Sequence, residues 1–215
     1  MSVAVVSSVF GGYDEPVFVE QSVPCSYVMV TDGDCLVPAG WEHRQVRNDG
    51  FPTRLLAKFA KCRPWTVAEA DFYVWLDGSI QPSVDLVDSM LDCLGDADCG
   101  FYTHPDRSTI SAEAEVSAKL QKYDGQDMDG QVQEYLAKGH PDDWGLWAAG
   151  LFIVRDTPTV RRMGERWLEE IVRWSHQDQL SLPFVLREQG LRPVPLHGGL
   201  RGNPLFKIRR HADRT

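Results

Sequence analysis

FYVWLDGS, residues 72–79, is the stretch on which the fold turns. Its first five residues are apolar with no alternation. That pattern suits a strand buried on both faces in a parallel sheet, not one with a wet side. Asp77 follows at once, and a carboxylate leaving a buried strand calls for a partner. The segment therefore reads as a central strand delivering Asp77 to a site.

Working outward, the pattern repeats. Val3–Phe10 is an apolar, β-branched strand stopped by Gly11–Gly12. Ser26–Thr31 (SYVMVT) is a second strand, with Asp32–Asp34 as its turn. Thr53 is read as the N-cap of a helix over Arg54–Cys62, where Leu55, Leu56 and Phe59 fall at helical spacing. Pro82 is expected to open a helix reaching about Leu94. Cys99–Thr103 is a short strand, and Ser111–Leu136 is mostly helical with a break around Gly125–Gly130. Trp147–Val154 is a strand, Thr157–Trp174 and Asp178–Gln189 are helices, and the chain ends Pro/Gly-rich. Alternating strands and helices predict an α/β architecture: a mostly parallel sheet flanked by helices in one domain. In such sheets ligands sit beyond the carboxyl ends of the strands.

The totals agree. The 215 residues are 43% hydrophobic and 25% charged, the balance of a soluble globular domain. The longest apolar runs, such as Val3–Val6 and Leu151–Val154, fall far short of the roughly 20 residues of a membrane helix. The start MSVAVVSSVF has no basic segment and no cleavage site, so a cytoplasmic location is expected. Cys25, Cys35, Cys62, Cys93 and Cys99 are odd in number and include no CxxC pair, which predicts free thiols. Net charge is −9, yet residues 187–215 hold seven Lys/Arg against two acids. A basic end on an acidic body suits contact with a phosphate, or else a solvated tail.

If the sheet is parallel, the loops after the first, second and FYVWL strands share one edge. That edge then carries Asp14, Asp32, Asp34 and Asp77, oxygen ligands suited to Mg²⁺ or Mn²⁺. Each Asp alone is equally a turn residue bonding its own backbone. Arg54 and Lys58, four apart, share a helical face. They either hold a diphosphate or form a solvent-facing stripe.

In order along the chain, FGGYDE, a strand ending in Thr-Asp, a helix with Arg and Lys, and WLDGS resemble a family of GT-A glycosyltransferases. The pattern is also similar to the glycogenin-like retaining transferases, whose strand ends in Asp-x-Asp. Here Asp77 takes the first Asp and Ser79 the second, a hydroxyl in place of a carboxylate. WAAGLFIVRD resembles the family's strand after a small-residue turn. HQDQLSL (176–182) resembles its DQD-x-L-N segment.

The resemblance spans roughly residues 3–206. It implies a GT-A (Rossmann-like) domain over 1–206 with a basic tail at 207–215. It implies Gln177 and Asp178 as the catalytic pair facing sugar and acceptor, with metal held by Asp77, Ser79 and His197. Phe10, Gly11, Gly12, Tyr13, Asp32, Arg54, Lys58, Asp77, Gly78 and Ser79 would hold the donor. His197 and Pro204 keep the family spacing, but Asn203 replaces the Lys that touches the diphosphate. Arg201 or Lys207 would serve instead, and His211 rivals His197.

The implied activity is metal-dependent transfer of a hexosyl or pentosyl unit from a nucleoside-diphosphate sugar, UDP favoured, with Mn²⁺ or Mg²⁺. The acceptor is a protein, a glycan or DNA. Gly11 and Gly12 would let backbone approach the donor, and Tyr13 would stack on a base or pack in the core. Asp178 would stabilise an oxocarbenium-like sugar or cap the helix that starts there. His104, Arg107, Glu113 and Glu115 fall where acceptor loops would lie. Two other classes fit the α/β pattern, a nucleotidyltransferase and a non-catalytic nucleotide-sugar-binding module. FGGYDE lacks the basic residue of a nucleotidyltransferase loop.

Overall fold

A computed structural model describes residues 1–209 of the chain. The strands are β1 (Val3–Val9), β2 (Ser26–Thr31), β3 (Glu42–Gln45), β4 (Phe72–Leu76), β5 (Ile80–Pro82), β6 (Cys99–Thr103), β7 (Trp147–Arg155), β8 (Val194–Pro195) and β9 (Phe206–Ile208). The helices are α1 (Thr53–Cys62), α2 (Leu86–Leu94), α3 (Ile110–Ser117), α4 (Met128–Ala137), α5 (Pro158–Arg173) and α6 (Asp178–Glu188).

Seven strands form one mixed sheet in the order β3-β2-β1-β4-β7-β6-β8, and β5 pairs with β9 in a small ribbon. Every neighbouring pair in the large sheet is parallel except those made by β7, which runs against both β4 and β6. The architecture is the α/β, mostly parallel sheet that the FYVWL strand predicted.

Alternate residues of the central strands feed two cores. Ala4, Val6, Tyr73 and Trp75 face α1 and α3–α6. Val3, Val5, Phe72, Val74 and Leu76 face α2 and the segments around Phe18 and Trp41. Burying a side chain of this size contributes about 1.5–3 kcal/mol, so β4, covered on both sides, anchors both layers. α1 and α5 meet at a glycine. A methyl on Gly164 would lie 2.0 Å from the Cys62 carbonyl oxygen and 2.6 Å from Trp65. Gly164→Ala is expected to cost roughly 1–3 kcal/mol by forcing the helices apart. A melting curve checks this, and an unchanged midpoint would refute it.

Some boundaries differ from the sequence reading. Pro52, not Thr53, precedes α1, and its carbonyl accepts from the amides of Leu55 and Leu56. Pro82 ends β5 instead of opening a helix, and α2 starts four residues later behind Asp85. β3 is an edge strand whose four side chains are all exposed, so it carries no hydrophobic signal. Residues 206–208 form β9, so the folded unit runs past residue 206 into the proposed tail. His211 lies outside the described residues. All five cysteines are unpaired. Among the described residues no helix is long and apolar enough to cross a membrane.

Candidate active site

β1 and β4 are neighbours, but the chain leaves β1 toward β2 on one side and returns through β4 on the other. Such a reversal opens a crevice at the carboxyl ends of the two strands. A cavity of about 400 Å³ lies there, lined by residues 8–11, Trp75 and residues 77–79 at the two strand ends, by α1, and by Lys122, Tyr123 and His176.

The β1 loop is shaped by glycines. Gly11 and Gly12 have φ of 64° and 58°, the left-handed region that side chains avoid. The Asp32 carboxylate accepts from the Gly11 amide at 2.8 Å and from the Asp34 amide at 3.3 Å. Asp32 thus braces the loop and does not line the cavity. Gly12 faces a neighbouring groove with Asp34 and Cys35. Tyr13 lines the cavity, and the Arg54 guanidinium lies 5.7 Å from its ring centre.

Asp77 is oriented from three sides. Its amide donates to the Gly150 carbonyl at 2.9 Å. Its Oδ1 accepts from the Trp75 indole N–H at 2.6 Å, and the Lys61 ammonium lies 3.5 Å from the same oxygen. Its Oδ2 faces Gly150, where a methyl would come within 3.0 Å. A methyl on Gly78 would meet Val9 and Asp14 at 2.8 and 2.9 Å, so the β1 and β4 loops pack against one another with no room for a side chain.

α1 supplies the charge. Arg54, Lys58 and Lys61 stand at i, i+4 and i+7, one stripe of the helix, and all three line the cavity. Asp178 sits behind them, buried, with its Oδ2 2.6 Å from both the Lys58 and the Lys61 ammonium groups. Burial alone would raise the Asp178 carboxyl, but the two lysines hold it well below the usual carboxylate range. Burial alone would lower the Lys61 ammonium, but Asp178 and Asp77 hold it up at about 12. Lys122 and His176 shift the other way. Burial, with the positive charge of Arg54 and Lys58, pushes both below their ordinary values.

Gln177 is buried one layer further in. It accepts from the Tyr123 hydroxyl at 2.9 Å and donates to Glu113 at 2.6 Å and Ser117 at 3.0 Å. Glu113 also receives Arg107, with His104 at 3.5 Å, so the HPDR segment joins this network, while Glu115 pairs with Lys119 on the surface.

The structure thus brings together Phe10, Gly11, Tyr13, Arg54, Lys58, Asp77, Gly78 and Ser79 at one cavity. It places Asp178 and Gln177 behind the wall. His197 is exposed after β8, Arg201 pairs with Asp106 on the surface, and Lys207 lies in β9 opposite Gln81, so none of the three lines the cavity. Arg209 reaches the Ser79 loop, its amide donating to the Ser79 carbonyl and its guanidinium to that of Glu15. Lys61, Lys122, Tyr123 and His176 line the cavity without having been expected from the sequence. Lys61 had a signal, the i+7 continuation of the Arg54–Lys58 stripe, whereas the other three come from segments without periodicity.

These residues do not fit a divalent cation. Four cations, Arg54, Lys58, Lys61 and Lys122, line the cavity against two carboxylates, Asp14 and Asp77. One Asp77 oxygen is already shared by an indole N–H and an ammonium. Among the described residues no group of three or more His, Cys, Asp or Glu side chains could hold a metal ion. A cationic lining on a chain of net charge −9 suits a polyanion.

Known proteins share parts of this chain. The family described as TOD1/MUCI70, glycosyltransferase-like domain, matches residues 53–194. No curated protein matches the chain. Among solved structures, the apo WbbM bifunctional glycosyltransferase is similar at 13% identity with a TM-score of 0.49. That similarity covers 91% of this chain and 38% of the WbbM chain, so this protein spans well under half of that enzyme's length.

Proposed function

Because the chain belongs to the TOD1/MUCI70 glycosyltransferase-like family, we propose that it transfers a hexosyl or pentosyl unit from a nucleoside-diphosphate sugar, UDP favoured, to an acceptor hydroxyl. One observation carries this reading: a four-cation cavity at the β1/β4 switch point of an otherwise acidic protein.

In this proposal Arg54, Lys58 and Lys122 meet the diphosphate, Arg with paired donors and Lys as point charges. Burial first, and then the positive charge of Arg54 and Lys58, lower Lys122 in the free protein, so a bound diphosphate would relieve the repulsive part of that shift. Charge grows on the nucleoside diphosphate as the glycosidic bond to it breaks. Fixed cations aimed at that charge stabilise the transition state more than the ground state. Tyr13 offers a ring face to the base, and the Gly11 turn lets backbone come close to the nucleoside. Asp77 has an oxygen left to accept from donor hydroxyls.

Asp178 and Gln177 act in this reading as positioning residues. Asp178 fixes Lys58 and Lys61, and Gln177 fixes the Tyr123 ring at the cavity wall. With one carboxylate oxygen held by two ammonium groups and its side chain only 6% exposed, Asp178 is poorly placed to meet a sugar directly.

The test is a thermal-shift series with UDP, GDP, their sugar conjugates and free hexoses. A ligand at 100 times its dissociation constant stabilises by about 2.7 kcal/mol. For a domain of this size that raises the melting temperature by roughly 5–10 °C. Nucleoside diphosphates should stabilise and free hexoses should not. If no nucleotide shifts the midpoint, the donor reading is lost. Binding without any release of nucleoside diphosphate from a nucleotide sugar would instead support the non-catalytic module.

A further inference from the structure

We propose that the donor's diphosphate is neutralised by cations of the protein itself, with Lys61 fixed beside Asp77 where a divalent ion would otherwise bind, so that nucleotide binding needs no metal. The inference rests on the nucleotide-sugar reading above and departs from the Mn²⁺ or Mg²⁺ that the family resemblance implied.

The geometry is a chain of four charges: Asp77, Lys61, Asp178, Lys58. The Lys61 ammonium lies 3.5 Å from Asp77 Oδ1 and 2.6 Å from Asp178 Oδ2, and its side chain is 3% exposed. A strongly hydrated ammonium is held this deep only where carboxylates compensate it. It is also locked: the Lys61 stem passes Trp75, with Nζ 5.6 Å from the ring centre, and Trp75 donates to the same Asp77 oxygen. A dication placed at that oxygen would face a buried like charge that cannot move into water.

The position where Asp-x-Asp enzymes carry their second acid holds Ser79 here, whose carbonyl is taken by the Arg209 amide. A cation thus replaces the metal, and a hydroxyl replaces the acid the metal would need. Arg54, Lys58 and Lys122 line the same cavity and complete a cradle with more positive than negative charge. Phosphate oxygens are matched by such groups without proton transfer.

Removing Lys61 should reverse the requirement. In Lys61→Ala, Asp77 and Asp178 would both face the vacated volume, two carboxylates of the kind that hold Mg²⁺ or Mn²⁺ together with donor phosphates.

The experiment is calorimetric titration of UDP and GDP into the full chain, in EDTA and in Mn²⁺, for wild type and Lys61→Ala. Circular dichroism confirms the fold, and Lys61→Gln substitutes if the alanine variant does not fold. Wild type should bind equally with EDTA and with Mn²⁺. The variant should lose about tenfold or more in EDTA, the value of one charge-assisted contact, and recover part of it with Mn²⁺. Wild-type binding that disappears in EDTA and returns with Mn²⁺ overturns the inference while leaving the donor reading intact. A variant that binds as wild type in EDTA also overturns it. Nucleotide binding in neither condition removes the donor reading, and this inference with it.

Discussion

Asp178→Asn is expected to lower the melting temperature at pH 7 by on the order of 10 °C. The warrant is the arithmetic of buried charge. Asp178 is buried and its Oδ2 neutralises two ammonium groups at 2.6 Å each. Asn keeps the shape but removes the charge, leaving Lys61, buried, with only the more distant Asp77. Breaking a buried pair by removing one partner costs about 3–5 kcal/mol, because the remaining charge is desolvated and unpaired.

The same argument fixes a pH dependence. The folded Asp178 carboxyl is depressed, so the unfolded chain takes up its proton first as pH falls. The stability it contributes is therefore complete above the unfolded value of about 4 and lost below it. The gap between wild type and Asp178→Asn should stay constant from pH 7 to 5 and shrink below about 4. Calorimetric melts across that range check both statements. Equal midpoints at pH 7 would show that the lysines are neutralised elsewhere.

Asp77→Asn is the second large expectation, and its effect falls on activity. Glycosyl transfer, read as kcat/KM, should drop by about 100-fold or more, the scale seen when a preorganised electrostatic group is removed from an active site. The melting temperature should move by no more than about 2 °C. Asp77 differs from Asp178 in exposure: its side chain is 41% exposed against 6%. Water therefore screens much of its interaction with Lys61. The amide oxygen of the substituted side chain could still accept from Trp75 and hold the loop, while the negative charge facing the donor is gone. A variant that unfolds, or one that keeps full activity per folded molecule, would make Asp77 a structural residue.

Much of the site is legible in the sequence. Asp77 stands out because it ends a buried apolar strand, and parallel strands put their ends at one edge, whereas Phe10, Gly11, Tyr13, Gly78 and Ser79 come with the family resemblance. Arg54 and Lys58 followed from helical spacing. Lys61 is within reach of the same rule but lies between Ala60 and Cys62 in the helix's last turn. Asp32 was placed on the right edge, but its contact is the Gly11 amide. Sequence tells which edge a carboxylate occupies, not which neighbour claims it.

The C-terminal end shows the limit most plainly. Motif spacing pointed to His197, Arg201 and Lys207, yet the chain turns after β8 and returns through β9 beside β5, so that Arg209 is the basic residue at Ser79. Spacing to Pro204 constrains length along the chain and says nothing of the direction in which Gly198, Gly199 and Gly202, all at positive φ, turn it.

The sequence by itself determined the α/β class, the central strand at Phe72–Leu76 and the shared edge of the first, second and fourth strands. Hydrophobic periodicity is a local property, and burial on one face or two leaves its mark within a few residues. Only the tertiary structure decided that Asp178 serves Lys58 and Lys61 across 120 and 117 positions of chain. It alone brought Lys122, Tyr123 and His176 to the cavity of α1. These pairings arise from long-range packing of α1 against β1 and α5, and of α6 against α5. A buried charge is stable only where that packing puts its counter-charge, and no local pattern records the place.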